Sequence, residues 1–113
     1  MHEMALCESV LQIVEQTARR HGATRVKAVR LEIGQLSHVD PDAMRFSFDV
    51  VTRQSLAHGA TLEIEHVPGS AWCMQCSAPV AMARRGDGCP TCGSYQLQVT
   101  GGEELRVKDI EID

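Results

Sequence analysis

Residues 72–93, WCMQCSAPVAMARRGDGCPTCG, contain four of the chain's five cysteines in two matched C-x-x-C pairs. The pairs are Cys73 with Cys76 and Cys89 with Cys92, and twelve residues separate them. Two such knuckles present four sulfur ligands in the tetrahedral arrangement that Zn²⁺ prefers. Disulfides or a redox-active dithiol are the alternatives, but a redox motif needs only one pair. The pattern favours a structural zinc site with four cysteine ligands.

Length, composition and charge narrow the class of protein. The 113 residues suffice for one domain that carries a smaller module. A module built around the cysteines contains few other apolar side chains, so its metal must supply much of its folding free energy. The formal net charge of −4 argues against nucleic-acid binding through phosphate contacts. The sequence predicts no membrane span and no secretory signal, and its paired thiols indicate a reducing cytoplasm.

The first half of the chain predicts alternating helices and strands. Apolar residues at helical spacing predict a first helix over residues 4–20, with Cys7 one position from the buried stripe, near the edge of the core. A strand follows over residues 25–33. Asp40 as N-cap and Pro41 in the first helical position begin a second helix, which runs to about residue 55.

Two further strands bracket the cysteines. Apolar residues alternate with polar ones over residues 61–67. They alternate again over residues 104–112, but the pattern changes parity there, which predicts a bulge near Asp109. The predicted fold class is therefore α/β (α+β), with a small mixed sheet and two helices. We assign residues 1–68 and 102–113 to this domain, and residues 69–101 to an inserted zinc-ribbon domain that contains the four paired cysteines.

The start of the chain, Met1-His2-Glu3, is a second candidate metal site. The terminal amine, the amide nitrogen of His2 and its imidazole can close a five-membered and a six-membered chelate ring on one metal ion. A further backbone nitrogen or a carboxylate can take the fourth corner, and such nitrogen-rich, planar coordination suits Ni²⁺ or Cu²⁺. The alternative is a solvated terminal histidine, and the residues alone leave both open.

As a whole, the sequence resembles the HypA/HybF family of nickel-insertion accessory proteins for nickel–iron hydrogenase maturation. The similarity is carried by the spaced cysteines and by residues 1–7 (MHEMALC), 29–34 (VRLEIG), 46–48 (FSF) and 107–112 (VKDIEI). No single motif would suffice, but their order and spacing are specific. The resemblance covers essentially the whole chain.

The resemblance implies a nickel metallochaperone that binds Ni(II) at its N-terminus and helps to insert it into the hydrogenase large subunit. In the implied nickel site, His2 is the central ligand, and the backbone of Met1 and Glu3 contributes. The side chains of Glu3 and Asp40 are candidates for a further ligand. Because Asp40 is also the predicted helix cap, the two tasks compete for its oxygens. The four paired cysteines carry over as ligands of a structural Zn²⁺.

The implied partners are a HypB-type GTPase and the hydrogenase large subunit, with a homodimer left open. Ni²⁺ is then a transient cargo and Zn²⁺ a structural cofactor. The chain has no Ser-His-Asp set and no phosphate-binding glycine loop with a lysine, so we predict that it is not an enzyme. The alternative function is a zinc-ribbon protein-interaction module without a nickel role.

Overall fold

The computed structural model describes residues 2–113, which form two helices and six strands. The elements are, in chain order, α1 (His2–Arg20), β1 (Val26–Gly34), α2 (Pro41–Val51), β2 (Thr61–Val67), β3 (Ser70–Cys73), β4 (Ala78–Ala81), β5 (Leu97–Gly101) and β6 (Leu105–Ile112). The strands make two three-stranded sheets, ordered β2-β1-β6 and β4-β3-β5. The predicted α/β (α+β) class is confirmed. Neither helix has the length and apolarity needed to cross a membrane.

The chain forms two compact units. The first consists of the segment that ends at Glu32 together with Val39–Glu65 and Arg106–Asp113, and it contains both helices. The second consists of Ile33–His38 and His66–Leu105, and it contains the paired cysteines. In sequence, most of the second unit therefore lies between segments of the first.

The boundaries between these units differ from the predicted division at residues 69 and 101. Short segments on both sides of the insertion, and the turn after β1, belong to the second unit. The cause is backbone hydrogen bonding, because the Gln35 N–H donates to the Val67 carbonyl at 2.8 Å. The next N–H, from Leu36, donates to the Gly102 carbonyl at 2.7 Å. Such pairings join distant parts of the chain and leave no local signature in the sequence.

The two helices pack against each other. The buried stripe of α1 consists of Cys7, Val10, Val14 and Ala18. This helix begins at His2, two residues earlier than predicted, and its first turn contains Glu3. A negative charge there interacts favourably with the positive end of the helix dipole. Cys7 is fully buried rather than at the edge of the core.

Helix α2 begins as predicted and ends earlier. Asp40 has extended backbone dihedrals, and its side chain accepts a hydrogen bond from the Asp42 N–H, as an N-cap does. The helix ends at Val51 and not near residue 55. There, both the N–H and the hydroxyl of Thr52 donate to the Phe48 carbonyl, at 3.0 and 2.7 Å. A side chain that bonds back to the helix in this way competes with the continuing backbone ladder.

Strand β1 is the centre of the first sheet. One of its faces is apolar and buried, with Val29, Leu31 and Ile33. The opposite face carries cross-strand ion pairs, in which Arg30 lies 2.8 Å from Glu63 and 2.6 Å from Asp109. Exposed pairs of this kind contribute little to stability, but opposite charges across strands favour the correct pairing.

The second sheet is antiparallel, with β3 between β4 and β5. Its apolar face contributes to a small cluster in which Leu36, Ala71 and Met82 are buried. Val80, Leu97 and Val99, all partly buried, pack against this cluster. So little apolar burial is typical of a unit that needs a metal ion to fold.

Three glycines let separate backbone segments of the second unit approach closely. A Cβ atom on Gly34 would overlap the carbonyl oxygen of Gly102. A Cβ atom on Gly102 would lie 2.6 Å from the Cα of Gly69 and 2.7 Å from the carbonyl oxygen of Pro68. Gly102 also has a φ of +84°, a conformation that residues with a side chain rarely adopt. Only glycine fits this position without a shift of the backbone.

Candidate functional site

The four paired cysteines meet at one point of the second unit. The sulfur atoms of Cys73, Cys76, Cys89 and Cys92 all lie within 4.8 Å of one another. Cys73 and Cys89 are buried, Cys76 is half-buried and Cys92 is exposed. All four are free thiols, so no disulfide joins them. Among residues 2–113, no other group of three or more His, Cys, Asp or Glu side chains converges in this way.

The spacing of the sulfur atoms fits a tetrahedral metal ion. A Zn–S bond of about 2.3 Å corresponds to a tetrahedron with edges of about 3.8 Å. Two edges of the cluster match this length, with 3.7 Å from Cys73 to Cys92 and 3.8 Å from Cys76 to Cys89. A disulfide needs a sulfur–sulfur distance of about 2.05 Å. The residues present therefore form a four-cysteine metal-binding site with the donor set and geometry that suit zinc.

Backbone N–H groups in both knuckles point at these sulfurs. The Cys76 N–H lies 3.3 Å from the sulfur of Cys73, and the Thr91 N–H lies 3.4 Å from that of Cys89. In the second knuckle, Gly93 has a φ of +77° and donates its N–H to the Cys89 carbonyl at 2.8 Å. Each knuckle is thus a tight turn whose donors stabilise negative charge on sulfur.

The thiols of Cys89 and Cys76 differ in acidity, because their surroundings differ. Hydrogen bonds from the backbone of Cys92 and of Thr91 lower the pKa of Cys89 to about 6, although burial opposes them. The hydrogen bond with the Cys92 side chain, together with burial, raises the pKa of Cys76 to about 12. The thiol of Cys89 is therefore more acidic than that of Cys76. A metal ion that binds here displaces protons from the sulfurs that still carry them.

The first turns of the two helices bring together the other predicted site residues. Nδ1 of His2 lies 3.5 Å from Oε2 of Glu3. The same carboxylate oxygen accepts a hydrogen bond from the Asp40 N–H at 3.2 Å, although these residues are 37 positions apart in sequence. This hydrogen bond is the main reason why the pKa of Glu3 lies below its usual value. The His2 side chain is 60% exposed and that of Glu3 is 14% exposed. Met1 lies outside the described residues.

Asp40 caps α2 through one of its two carboxylate oxygens. Its Oδ1 accepts the hydrogen bond from the Asp42 N–H at 3.0 Å. A carboxylate has two oxygens, so capping leaves Oδ2 able to bind a metal ion. Capping thus engages Oδ1, and the role of Asp40 as a nickel ligand stays a prediction. The side-chain oxygens of Glu3 and Asp40 do not converge with His2 as closely as the four sulfurs do, so backbone nitrogens would be needed to complete a site.

A contact between two sulfur atoms lies below these residues and was not anticipated from the sequence. The thiol of Cys7 donates to the Met44 carbonyl at 3.4 Å and lies 3.9 Å from the Met44 sulfur. Both side chains are fully buried. The only sequence signal is that Cys7 follows Glu3, and Met44 follows Asp40, by one helical turn.

Comparison with known proteins gives matches over the whole chain. A model of the family described as hydrogenase/urease nickel incorporation, metallochaperone, HypA matches residues 1–112. The hydrogenase maturation factors HypA of Alkalilimnicola ehrlichii and of Dechloromonas aromatica are each 60% identical to this chain over 113 residues. Hydrogenase maturation factor HypA 1 of Bradyrhizobium diazoefficiens is 57% identical over the same length. In all three cases, 100% of both chains is covered.

Two solved structures share the fold. The solution structure of the Ni metallochaperone HypA from Helicobacter pylori has a TM-score of 0.71 and 24% sequence identity, covering 97% of this chain and 96% of that chain. A second one, the solution structure of HypA protein, has a TM-score of 0.73 and 25% identity, covering 99% and 96%. The arrangement of helices, sheets and inserted cysteine unit described above is thus the fold of these proteins.

Proposed function

Because this chain belongs to the HypA family of hydrogenase-maturation nickel metallochaperones, we propose that it binds Ni²⁺ at its N-terminus and delivers the ion to a nickel–iron hydrogenase large subunit. Nickel is its cargo, and the protein acts by binding and handing over the ion rather than by catalysing a reaction. The family description also names urease, whereas the similar proteins from the three organisms above are named as hydrogenase maturation factors.

The observation that carries this proposal is the convergence of His2 and Asp40 on one oxygen of Glu3. The imidazole nitrogen lies 3.5 Å from that oxygen, and the Asp40 N–H lies 3.2 Å from it. A histidine that is merely solvated has no need of such an arrangement. The start of α2 thus lies beside the first turn of α1, where an imidazole nitrogen and a carboxylate, donor types that Ni²⁺ accepts, are close together.

The geometry of His2 also suits chelation. The nitrogen that closes a six-membered ring with the amide nitrogen of the same residue is Nδ1, which is the atom that faces Glu3. Nickel binding would replace the Glu3 contact of Nδ1, while the amine of Met1 would complete the adjacent ring. The exposure of the imidazole and its position in the first turn of α1 favour exchange of the ion, because chain ends open at low cost.

The four cysteines would hold a structural Zn²⁺ that folds the second unit. Cys73, Cys76, Cys89 and Cys92 supply only sulfur and leave no position open for a substrate, as in structural zinc sites. When bound, the ion would supply the folding free energy that the small apolar cluster lacks. Four free thiols of this kind also fit a reducing cytoplasm.

The proposed partners follow from the family. A nickel carrier needs a recipient, for which we propose the hydrogenase large subunit. The sequence has no phosphate-binding loop, so nucleotide hydrolysis would come from a separate HypB-type GTPase. Delivery then consists of transfer of Ni²⁺ from an exposed, weakly protected site to a more complete ligand set in the recipient.

The test is a calorimetric titration of zinc-loaded protein with Ni²⁺, using protein that starts at Met1 without any extension. We expect His2→Ala to weaken nickel binding at least about tenfold, equivalent to about 1.4 kcal/mol. His21→Ala is a matched control, because this exposed histidine lies beyond the other end of α1, about 28 Å away for a helix of 19 residues. The control variant should bind nickel as the wild type does.

A short extension ahead of Met1 provides an independent test of the amine. It should weaken nickel binding and leave the zinc content unchanged. If wild type and His2→Ala bind nickel equally, or if neither binds it, the nickel proposal is wrong. The zinc-ribbon interaction module without a nickel role then becomes the better description.

A further inference from the structure

The contacts between α1 and α2 form two successive layers that start at the proposed nickel site. In the upper layer, the Asp40 N–H donates to the Glu3 carboxylate at 3.2 Å. In the lower layer, the Cys7 thiol donates to the Met44 carbonyl at 3.4 Å. Each pair is 37 positions apart in sequence, and the layers are separated by one turn of each helix. The first turns of the two helices therefore lie side by side, and the helices run in the same direction with a constant offset of 37 residues.

The lower layer is better fixed than the upper one. Cys7 and Met44 are both 0% exposed, whereas His2 and Asp40 are exposed. Burial raises the pKa of Cys7 to about 11, so at neutral pH its sulfur carries a proton and can donate a hydrogen bond. The two sulfur atoms are 3.9 Å apart, which adds a contact between polarizable groups. This buried layer defines the separation of the helices at one turn below the surface.

A rigid connection leads from the lower layer to Asp40. The Met44 N–H donates to the Asp40 carbonyl at 3.0 Å, in the first hydrogen bond of α2. On the other helix, Cys7 follows Glu3 by four residues on the same face of α1. A change at the sulfur contact would therefore move Asp40 relative to His2 and Glu3.

We propose that Cys7 and Met44 are positioning residues for nickel binding, because their buried contact places Asp40 beside His2 and Glu3. Neither sulfur touches the metal ion. This inference rests on the proposed nickel function and deepens it, since it assigns to two core residues the preorganisation of a carboxylate ligand. Preorganised ligands bind more tightly than those that must be ordered on binding.

Two substitutions of Cys7 separate hydrogen bonding from packing. Cys7→Val removes the donor and keeps an apolar side chain, larger by one heavy atom, and Cys7→Ser keeps a donor. We expect Cys7→Val to weaken nickel affinity about three- to tenfold in calorimetric titration, with unchanged zinc content. Cys7→Ser should bind nickel within about twofold of the wild type, a rescue that a purely structural role would not produce.

Two controls test whether the effect is specific. Val14→Ala removes buried volume from the same stripe of α1, seven residues and about 10 Å further along the helix. If it lowers nickel affinity as much as Cys7→Val does, the effect is one of general packing and the inference is wrong. In an Asp40→Asn background, Cys7→Val should have no further effect, because its action passes through Asp40. Additive losses would contradict the proposed connection.

The outcomes also distinguish this inference from the proposed function. If nickel binding depends on His2 but Cys7→Val binds nickel as the wild type does, only the positioning role is overturned. If the wild type shows no His2-dependent nickel binding, both are overturned. Should Cys7→Val be too unstable to purify, Cys7→Ala removes the same hydrogen-bond donor without added bulk, and unchanged nickel affinity in that variant overturns the inference.

Discussion

Replacing Asp40 separates its two tasks, helix capping and nickel binding. As N-cap, its Oδ1 accepts a hydrogen bond from the Asp42 N–H at 3.0 Å. Asparagine can accept the same bond, whereas alanine cannot, and loss of an N-cap costs about 1 kcal/mol. We therefore expect Asp40→Ala to lower the melting temperature by about 4 °C and Asp40→Asn to change it little.

The order of the same variants in nickel affinity should differ from their order in melting temperature. Both substitutions remove the carboxylate, so both should weaken nickel affinity at least about tenfold, or about 1.4 kcal/mol. Asp42→Asn is a matched control, because it removes the same charge from the same turn of α2 and leaves the proposed ligand in place. This variant should bind nickel within about twofold of the wild type.

Calorimetric titration with Ni²⁺ and thermal unfolding of the zinc-loaded protein measure the two effects separately. If Asp40→Asn binds nickel as tightly as the wild type, Asp40 is not a nickel ligand. If Asp40→Ala melts at the wild-type temperature, the cap contributes nothing to stability. If Asp42→Asn weakens binding as much as Asp40→Asn, the effect is one of local charge and not of ligation.

Two further predictions concern the second unit. Gly102→Ala should lower the free energy of unfolding by about 3 kcal/mol or more, because left-handed strain adds to overlap with the neighbouring backbone. Gly22→Ala is the control, because Gly22 has a φ of +68° and a Cβ atom there would meet nothing within 4 Å. It should lower the free energy of unfolding only by the backbone strain of about 1–2 kcal/mol. If chemical denaturation gives equal losses of stability for both variants, the close approach of backbone segments at Gly102 does not matter. Removal of the metal with a chelator, or Cys73→Ser, should unfold the second unit and leave α1 and α2 helical. Amide spectra that keep dispersed signals for β3–β5 in the metal-free protein would contradict a structural metal.

Local features of the fold could be predicted because their causes lie within a few residues of one another. Each C-x-x-C knuckle fixes two sulfurs within one turn, and the repeat of the motif indicates four ligands. Asp40 followed by Pro41 defines a helix start through a hydrogen bond that spans two residues. The predicted end of α2 is too late, because Arg53, Gln54 and Ser55 are all compatible with a helix and the hydrogen bond from the Thr52 side chain leaves no mark on the pattern of apolar residues.

The sequence by itself determined the four-cysteine metal site, the α+β class and the cap at Asp40, and it identified His2 as a candidate metal ligand. Only the tertiary structure decided that Asp40 donates to Glu3, that Cys7 meets Met44, and that residues 33–38 join the inserted unit. The physical reason is the separation in sequence of the residues that interact. A knuckle or a cap is formed by neighbours along the chain, whereas these contacts join segments dozens of residues apart, whose approach depends on how the whole core packs.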